Sequence, residues 1–139
     1  MSRTQAVYYR DPDGREPVAV FIDGLSDERA IAKIDDAIEE HLNGKKPDEP
    51  PAPDPYTSQV AGELRELRVR FARTRYRVLY QRSGNLMVLL HAIEKNTQQL
   101  PQEATDKAQE RMADFKARMN AARRKPPRAV GKDAPPKSR

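Results

Sequence analysis

The stretch that decides the fold is LRELRVRFARTRYRVLYQRSGNLMVLLHAIEKN, residues 64–96. Residues 64–71 alternate apolar and charged side chains, which is the two-residue period of a strand with one buried face. Residues 74–81 repeat that alternation. Residues 86–93 are apolar on both faces, as expected for an interior strand that is covered on each side. The stretch therefore predicts three consecutive strands of one sheet.

Short turn signals separate the three predicted strands. The sequence SGN at residues 83–85 is typical of a hairpin. Only residues 72 and 73 stand between the first strand and the second, which leaves room for a two-residue turn. Because strands joined so closely pair antiparallel, we expect the sheet to be antiparallel for the most part.

Arginine is concentrated on the first two of these strands. Residues 64–82 contain one carboxylate, Glu66, and seven arginines: Arg65, Arg68, Arg70, Arg73, Arg75, Arg77 and Arg82. Side chains two apart on a strand point the same way, so antiparallel pairing gathers four of them in one patch: Arg68, Arg70, Arg75 and Arg77. Guanidinium groups bind phosphate oxygens bidentately and stay charged at any working pH. The patch is a candidate phosphodiester site; the alternative is that solvent-facing strand positions simply carry arginine.

Three other side chains are weaker candidates. Lys95 follows the third strand, next to the arginines, and is a candidate acid or charge stabiliser; a plain surface lysine is the alternative. His91 lies inside that strand and is expected to support the core rather than to catalyse. His41 ends a predicted helix, where a cation favours the helix dipole. With no cysteine and only two histidines, the sequence predicts neither a metal site nor a cofactor.

The N-terminal third predicts one strand and two helices. Residues 5–9 read as a short strand, and Pro17 suits the first turn of a short helix that Gly24 ends. The second helix is expected to run from an N-cap at Ser26 to about Asn43. Its apolar residues recur three or four positions apart, which is the helical period: Ile31, Ile34, Ile38 and Leu42.

The remaining segments complete the domain. Residues 45–57 contain five prolines and are interpreted as an exposed loop inside one domain, residues 1–123; a linker between two domains is the alternative. A last helix is predicted over residues 101–123, with Pro101 at its first position. Residues 124–139 are basic and proline-rich and are predicted to be disordered. The expected fold is α+β in the order β-α-α-β-β-β-α, with the helices on one face of a small, mainly antiparallel sheet and the arginines on the other.

Composition narrows the function classes. The absence of cysteine excludes disulfides and fits a reducing compartment. The longest apolar stretch, residues 86–90, is too short to span a bilayer, and the N-terminus has no apolar signal core, so we predict a cytoplasmic protein. Residues 116–139 carry nine basic residues and one aspartate, a net charge of +8 against +5 for the whole chain. The rest of the chain is therefore slightly acidic, and the overall basicity says little about function.

A run of about fifty residues that begins at Glu66 resembles the C-terminal half of HigB-type toxins. More broadly, it is similar to the RelE/ParE toxin superfamily and to phage-derived proteins of that group. The shared pattern is specific in combination rather than in any one piece. The matching positions are Glu66-Leu67-Arg68, Tyr76-Arg77-Val78-Leu79-Tyr80, Gly84, Val88-Leu89-Leu90-His91, Lys95, Thr97-Gln98, Pro101, Ala108 and Arg111.

The resemblance implies a RelE-like fold and the toxin of a type II toxin–antitoxin system, a metal-independent endoribonuclease that cuts mRNA on the ribosome. It implies that Arg68 and Arg77 hold the scissile phosphate, that Lys95 stabilises or protonates it, and that the RNA 2′-hydroxyl attacks. It further implies a HigA-like antitoxin with a helix-turn-helix domain, through which the pair binds its own promoter DNA. Further RNA-binding candidates are Arg70, Arg73, Arg75, Lys45 and Lys46.

Two departures from the family pattern leave other functions open. The chain has Ile93-Glu94-Lys95-Asn96 where the family often has an aromatic residue and two lysines. One alternative is a ParE-like or phage-type inhibitor that binds a host protein without catalysis. Another is a nucleic-acid-binding module that uses the basic tail, which predicts that removing residues 124–139 abolishes activity; the toxin hypothesis predicts that activity survives.

Overall fold

The computed structural model describes residues 3–96, 99–120 and 127–131. The predicted α+β class is confirmed, and the three strands of the deciding stretch lie where the sequence places them. One strand, β2, was not expected. In chain order the elements are β1 (Gln5–Tyr8), α1 (Pro17–Asp23), α2 (Glu28–His41), β2 (Thr57–Ala61), β3 (Leu64–Phe71), β4 (Thr74–Ser83), β5 (Leu86–Glu94) and α3 (Gln102–Met119).

The strands form one five-stranded sheet in the order β1-β5-β4-β3-β2. Strand β1 pairs parallel with β5, and the other neighbours pair antiparallel. Strand β5 is thus an interior strand, as its two apolar faces predicted. Strand β2 is short and lies at the edge, where it covers only the first half of β3.

Helices cover both faces of the sheet, which corrects the expectation that they all lie on one face. Helices α1 and α2 pack on the face that carries Val78 and Leu89. Helix α3 packs on the opposite face, against Leu79, Val88 and Leu90. The physical reason is that β5 is apolar on both sides, so each side needs its own cover. Because Leu79 alternates with the arginines of β4, the arginine patch shares its face with α3.

The boundaries of α2 and the start of α3 differ from the predicted ones by one or two residues. Asp27 rather than Ser26 caps α2, since the Asp27 carboxylate accepts the Arg29 backbone N–H at 2.9 Å. Helix α2 ends at His41, two residues early. Pro101 is the N-cap of α3 rather than its first residue. Helix α3 ends at Met119 with Asn120 as its C-cap, before the predicted end at residue 123; residues 121–123 lie outside the described residues.

Part of the tail predicted to be disordered is ordered. Residues 127–131 run along the free edge of β1, where Val7 and Ala129 form an antiparallel bridge. The Val130 side chain is buried, and its N–H donates to the Ala6 carbonyl at 2.8 Å. The Arg128 guanidinium pairs with Glu16 at 2.7 Å. These contacts satisfy backbone groups on the outer edge of β1, whose other edge pairs with β5. Residues 124–126 and 132–139 lie outside the described part.

The proline-rich segment is held in place at its end. The Thr57 side chain is buried, and its hydroxyl donates to the Ala52 carbonyl. The Tyr56 N–H donates to the Pro53 carbonyl at 2.9 Å. The end of the segment is therefore a defined turn against the sheet. Within the described ranges, no helix is both long and apolar enough to cross a membrane.

Candidate functional site

The β3–β4 hairpin brings the four arginines of the patch together. Arg68 lies directly opposite Arg77 in the register, and Arg70 lies opposite Arg75. The two-residue turn at Ala72 sets this register, and Ala72 adopts a φ of 55° to make it. Cβ atoms of directly opposed residues are about 5 Å apart. The arrangement predicted from the alternation is confirmed, and it crowds four positive charges onto one face.

Glu66 is the carboxylate at the centre of this group. It is buried, and one oxygen, Oε1, accepts a hydrogen bond from Arg68 Nε at 2.6 Å. The other oxygen, Oε2, lies 3.6 Å from an Arg77 guanidinium nitrogen and accepts no hydrogen bond from the described residues. One negative charge thus lies between two positive charges. The group keeps a surplus of positive charge, which favours an anion nearby.

Arg68 and Arg77 differ in their access to solvent. The Arg68 side chain is 41% exposed and also lies 3.4 Å from Asp54, a carboxylate that is itself largely exposed. The Arg77 side chain is only 5% exposed. The Arg68 guanidinium is therefore accessible from solvent, whereas the Arg77 guanidinium faces the internal carboxylate of Glu66. The sequence alternation could not distinguish the two, because burial on this face depends on what packs over each position.

Arg70 and Arg75 supply the remaining charge of the patch. Arg70 is exposed and its Nε contacts only the Ala72 carbonyl, at 3.5 Å. Among the residues that the structure describes, no carboxylate forms an ion pair with either arginine. Their charges are therefore available to a ligand.

Lys95 lies at the arginine end of β5. Its backbone N–H donates to the Arg75 carbonyl at 3.0 Å, and the residue is exposed. Asn96, which stands where the family often has its second lysine, accepts the Arg75 backbone N–H at 3.1 Å. The asparagine thus extends the end of the β4–β5 pairing. The structure brings Lys95 next to the patch and gives Asn96 a backbone-binding role.

The other predicted RNA-binding residues lie elsewhere. Arg73 is at the exposed tip of the hairpin. Lys45 is bonded through its backbone to Thr4, which precedes β1, and its amine lies 3.5 Å from Glu49. Thr4 lies at the Leu86 end of β5, whereas the patch lies at the other end. Lys45 and the adjacent Lys46 are therefore not brought together with the arginines.

His91 is held by α3 rather than by the patch. An Arg111 guanidinium nitrogen lies 3.0 Å from His91 Nδ1 and 2.9 Å from the Leu90 carbonyl. Because arginine can only donate, Nδ1 is the acceptor and the proton sits on Nε2. Burial, together with the nearby charges of Arg111 and Lys107, lowers the pKa of His91. A supporting role between sheet and helix, as predicted, fits this geometry.

A cleft of about 760 Å³ lies between α2, the Pro55–Tyr56 segment and the β3–β4 hairpin. Its lining includes all four arginines of the patch. It also includes two aromatic side chains that the sequence analysis did not connect, His41 and Tyr56. Their rings stack with centroids 4.5 Å apart and an interplanar angle of 21°. Nothing in the sequence signals this contact, because fifteen residues separate the two.

An α+β sheet with an arginine hairpin beside an open cleft is the architecture expected of a small RelE-like toxin. Residues 21–113, about two thirds of the chain, match the family described as phage derived protein Gp49-like (DUF891). The chain therefore belongs to this Gp49-like family, which is a RelE/HigB-like toxin family. No curated protein and no solved structure matches the chain. The family match ends before residues 127–131, so it does not cover the segment that pairs with β1.

Proposed function

We propose that this protein is a HigB-type toxin that cuts mRNA on the ribosome without a metal ion. One observation carries the proposal: four strand arginines lie on one face beside a cleft, with a single buried carboxylate, Glu66, between two of them. Positive charge fixed in advance around a phosphodiester stabilises the extra negative charge of its transition state. Membership of a toxin family is consistent with this activity.

In the proposed reaction, Arg68, Arg70 and Arg75 bind the phosphate from the exposed side of the patch. Arg77 adds charge from behind, through Glu66, which it holds beside Arg68. The RNA 2′-oxygen forms a bond to phosphorus, its proton passes to water, and the bond from phosphorus to the 5′-oxygen breaks. Lys95 gives a proton to the leaving 5′-oxygen. The products are a 2′,3′-cyclic phosphate and a 5′-hydroxyl end.

The family implies an antitoxin partner. We further propose that this partner is a HigA-like protein with a helix-turn-helix domain, which binds promoter DNA for the pair. The positive patch is the surface that an antitoxin must neutralise to block RNA. An acidic segment of the antitoxin laid across Arg70 and Arg75 would do so.

The test is 5′-end mapping of mRNA after the protein is induced in bacteria. We expect growth arrest and new 5′-hydroxyl ends inside translated codons with the wild type, and neither with Arg68→Ala or Lys95→Ala. Arg82→Ala is the matched control, because Arg82 is on β4 but its Nε binds the Gly84 carbonyl away from the patch. Intact mRNA during growth arrest would contradict cleavage.

A second candidate function is a non-catalytic inhibitor of a host protein. Two observations favour it: Arg77 is buried against Glu66, and Asn96 binds backbone where the family often has a lysine. This candidate predicts growth arrest with intact mRNA, and an arrest that survives Lys95→Ala. The same mapping experiment therefore separates the two functions.

A further inference from the structure

The aromatic pair of the cleft, Tyr56 and His41, is not used by the proposed reaction. Tyr56 is 48% exposed, one of the exposed large apolar or aromatic residues among those the structure describes. One face of its ring is covered by the imidazole of His41. About half of the residue is exposed, so part of the Tyr56 side chain is accessible to a ligand.

The backbone holds this aromatic pair in a fixed place relative to the patch. The Tyr56 carbonyl accepts the Arg68 N–H at 2.8 Å, so Tyr56 is bonded directly to an arginine of the site. Hydrogen bonds to Pro53 and the buried Thr57 fix the turn on either side of it. His41 is the last residue of α2. A stacking surface that is already ordered loses little conformational entropy when it binds a ligand.

The two sides of the cleft differ in charge: the hairpin side is positive, and the α2 side is slightly negative. The hairpin contributes Arg68, Arg70 and Arg75, whereas α2 contributes Asp36 and Glu40 along with one cation, Lys33. A phosphate is attracted to the hairpin and repelled from the α2 side. An uncharged base with polar edges suits the α2 side, where the aromatic pair lies. The cleft thus favours a nucleotide with its phosphate on the arginines and its base toward Tyr56.

We propose that Tyr56, backed by His41, is a stacking platform for an unpaired base of the RNA whose phosphate lies on the arginine patch. This inference deepens the proposed function and rests on it. Aromatic side chains stack on bases of any identity because every base has a π face. The platform therefore sets which nucleotide lies in the cleft relative to the bound phosphate, rather than which base it carries.

The test uses the full chain and a three-nucleotide 2′-O-methyl RNA that contains 2-aminopurine at one position in turn. Methylation removes the attacking hydroxyl, so the probe is not cut. We expect the fluorescence of one 2-aminopurine position to be quenched on binding to the wild type. Tyr56→Ala and Tyr56→Leu should remove the quenching and weaken binding about tenfold, the typical loss of one stacked base. Tyr56→Phe should keep both.

Two controls make the result interpretable. A probe with an abasic residue at the quenched position should bind the wild type as weakly as the intact probe binds Tyr56→Ala. Its affinity should not fall further when it is tested against Tyr56→Ala. Tyr56→Leu keeps the apolar bulk of the side chain, so a thermal unfolding midpoint equal to that of the wild type separates lost stacking from lost folding.

The outcomes distinguish the two proposals. If Arg68→Ala weakens binding but Tyr56→Ala and Tyr56→Leu do not, the platform is wrong and the proposed function stands. If the wild type binds none of the probes, the platform is wrong, and the proposed function is decided separately by the 5′-end mapping on translating ribosomes. Quenching that persists in Tyr56→Leu would also overturn the platform.

Discussion

Arginines meet buried or half-buried glutamates in two different parts of the molecule. At the edge of β1, the Arg128 guanidinium donates hydrogen bonds of 2.7 and 2.9 Å to the Glu16 carboxylate. The same guanidinium lies 4.8 Å from the centre of the Tyr8 ring. In the β3–β4 hairpin, Arg68 and Arg77 share Glu66. The first group closes a short segment onto the sheet. The second group leaves this face of the sheet with an excess of positive charge.

The difference lies in what surrounds each pair. Glu16 also has Arg10 within 3.5 Å, but the neighbouring carboxylate of Asp23 adds negative charge to that region. Around Glu66 the next residues on the same face are Arg70 and Arg75, which have no ion pair among the described residues. An arginine–glutamate contact is therefore structural or ligand-binding according to the charge balance around it, and the contact alone does not tell which.

The largest effect expected from this comparison is on activity. Under the proposed function, Arg68→Ala should lower the rate of mRNA cleavage on translating ribosomes at least about a hundredfold, because it removes an exposed cation that would stabilise the charge on the phosphate. Arg128→Ala should leave the rate within about twofold of the wild type, since Arg128 is committed to Glu16. The measurement is the appearance of 5′-hydroxyl ends over time. Equal losses in both variants would erase the distinction between the two groups.

The next effect is on stability. Arg77→Ala should lower the free energy of unfolding by about 2 kcal/mol, because it removes one of the two arginines that neutralise the buried Glu66. Adding Glu66→Gln removes the buried charge and should recover part of that loss. Chemical denaturation of the two single variants and the double variant gives the coupling. Additive effects would show that Arg77 and Glu66 do not interact.

Truncation tests the β1 side of the comparison. A chain that ends at Asn120 loses the buried Val130 and the Arg128–Glu16 pair, and we expect it to be less stable by about 2 kcal/mol. A chain that ends at Gly131 keeps both and should unfold like the wild type. The second truncation is also the cleaner test of a tail-based nucleic-acid-binding function. Activity that disappears in the chain ending at Gly131 would favour that function.

The smallest effect is on the alkaline side of the stability profile. Burial and the carboxylate of Asp35 raise the pKa of Tyr8 to about 12, against the opposing charge of Arg128. The neutral phenol is favoured in the folded state, so this stabilisation is complete below pH 10 and is lost as the pH rises through 12. Between pH 9 and pH 11, the free energy of unfolding of Tyr8→Phe should therefore fall by about 1 kcal/mol less than that of the wild type.

The control for that experiment is the neighbouring tyrosine. The pKa of Tyr9 is also raised to about 12, by burial and by its hydrogen bond to Asp114. Tyr8→Phe keeps this second group, so some alkaline loss should remain. Denaturation midpoints measured from pH 9 to pH 11 that are parallel in the two proteins would contradict the assignment to Tyr8.

The fold was predictable wherever a periodic pattern was long. The alternation in residues 64–71 and 74–81, with only two residues between them, predicted the hairpin and with it the facing pairs of arginines. Strand β2 was missed because its burial does not alternate cleanly and its partner shows only in the sheet. Residues 127–131 were expected to be disordered from their composition. A backbone that pairs with an open strand edge needs no apolar pattern of its own, and here the buried Val130 and the Arg128–Glu16 pair hold it in place.

The site was predictable in part. Arg68, Arg70, Arg75 and Arg77 come together as the two-residue period requires. The burial of Arg77, the separation of Lys45 from the patch and the stack of His41 on Tyr56 were not predictable. Each depends on a packing contact between residues far apart in the chain, and local periodicity carries no information about such contacts.

The amino-acid sequence by itself determined the three strands of residues 64–96, which face of the hairpin carries arginine and how few carboxylates oppose it. These properties follow from backbone geometry that repeats every two residues. Only the tertiary structure decided that α3 shares the arginine face, that one arginine is buried while its partner is exposed, and that an aromatic pair borders the cleft. The reason is physical: burial and stacking arise from the packing of whole elements, and a short window of sequence does not contain its packing partners.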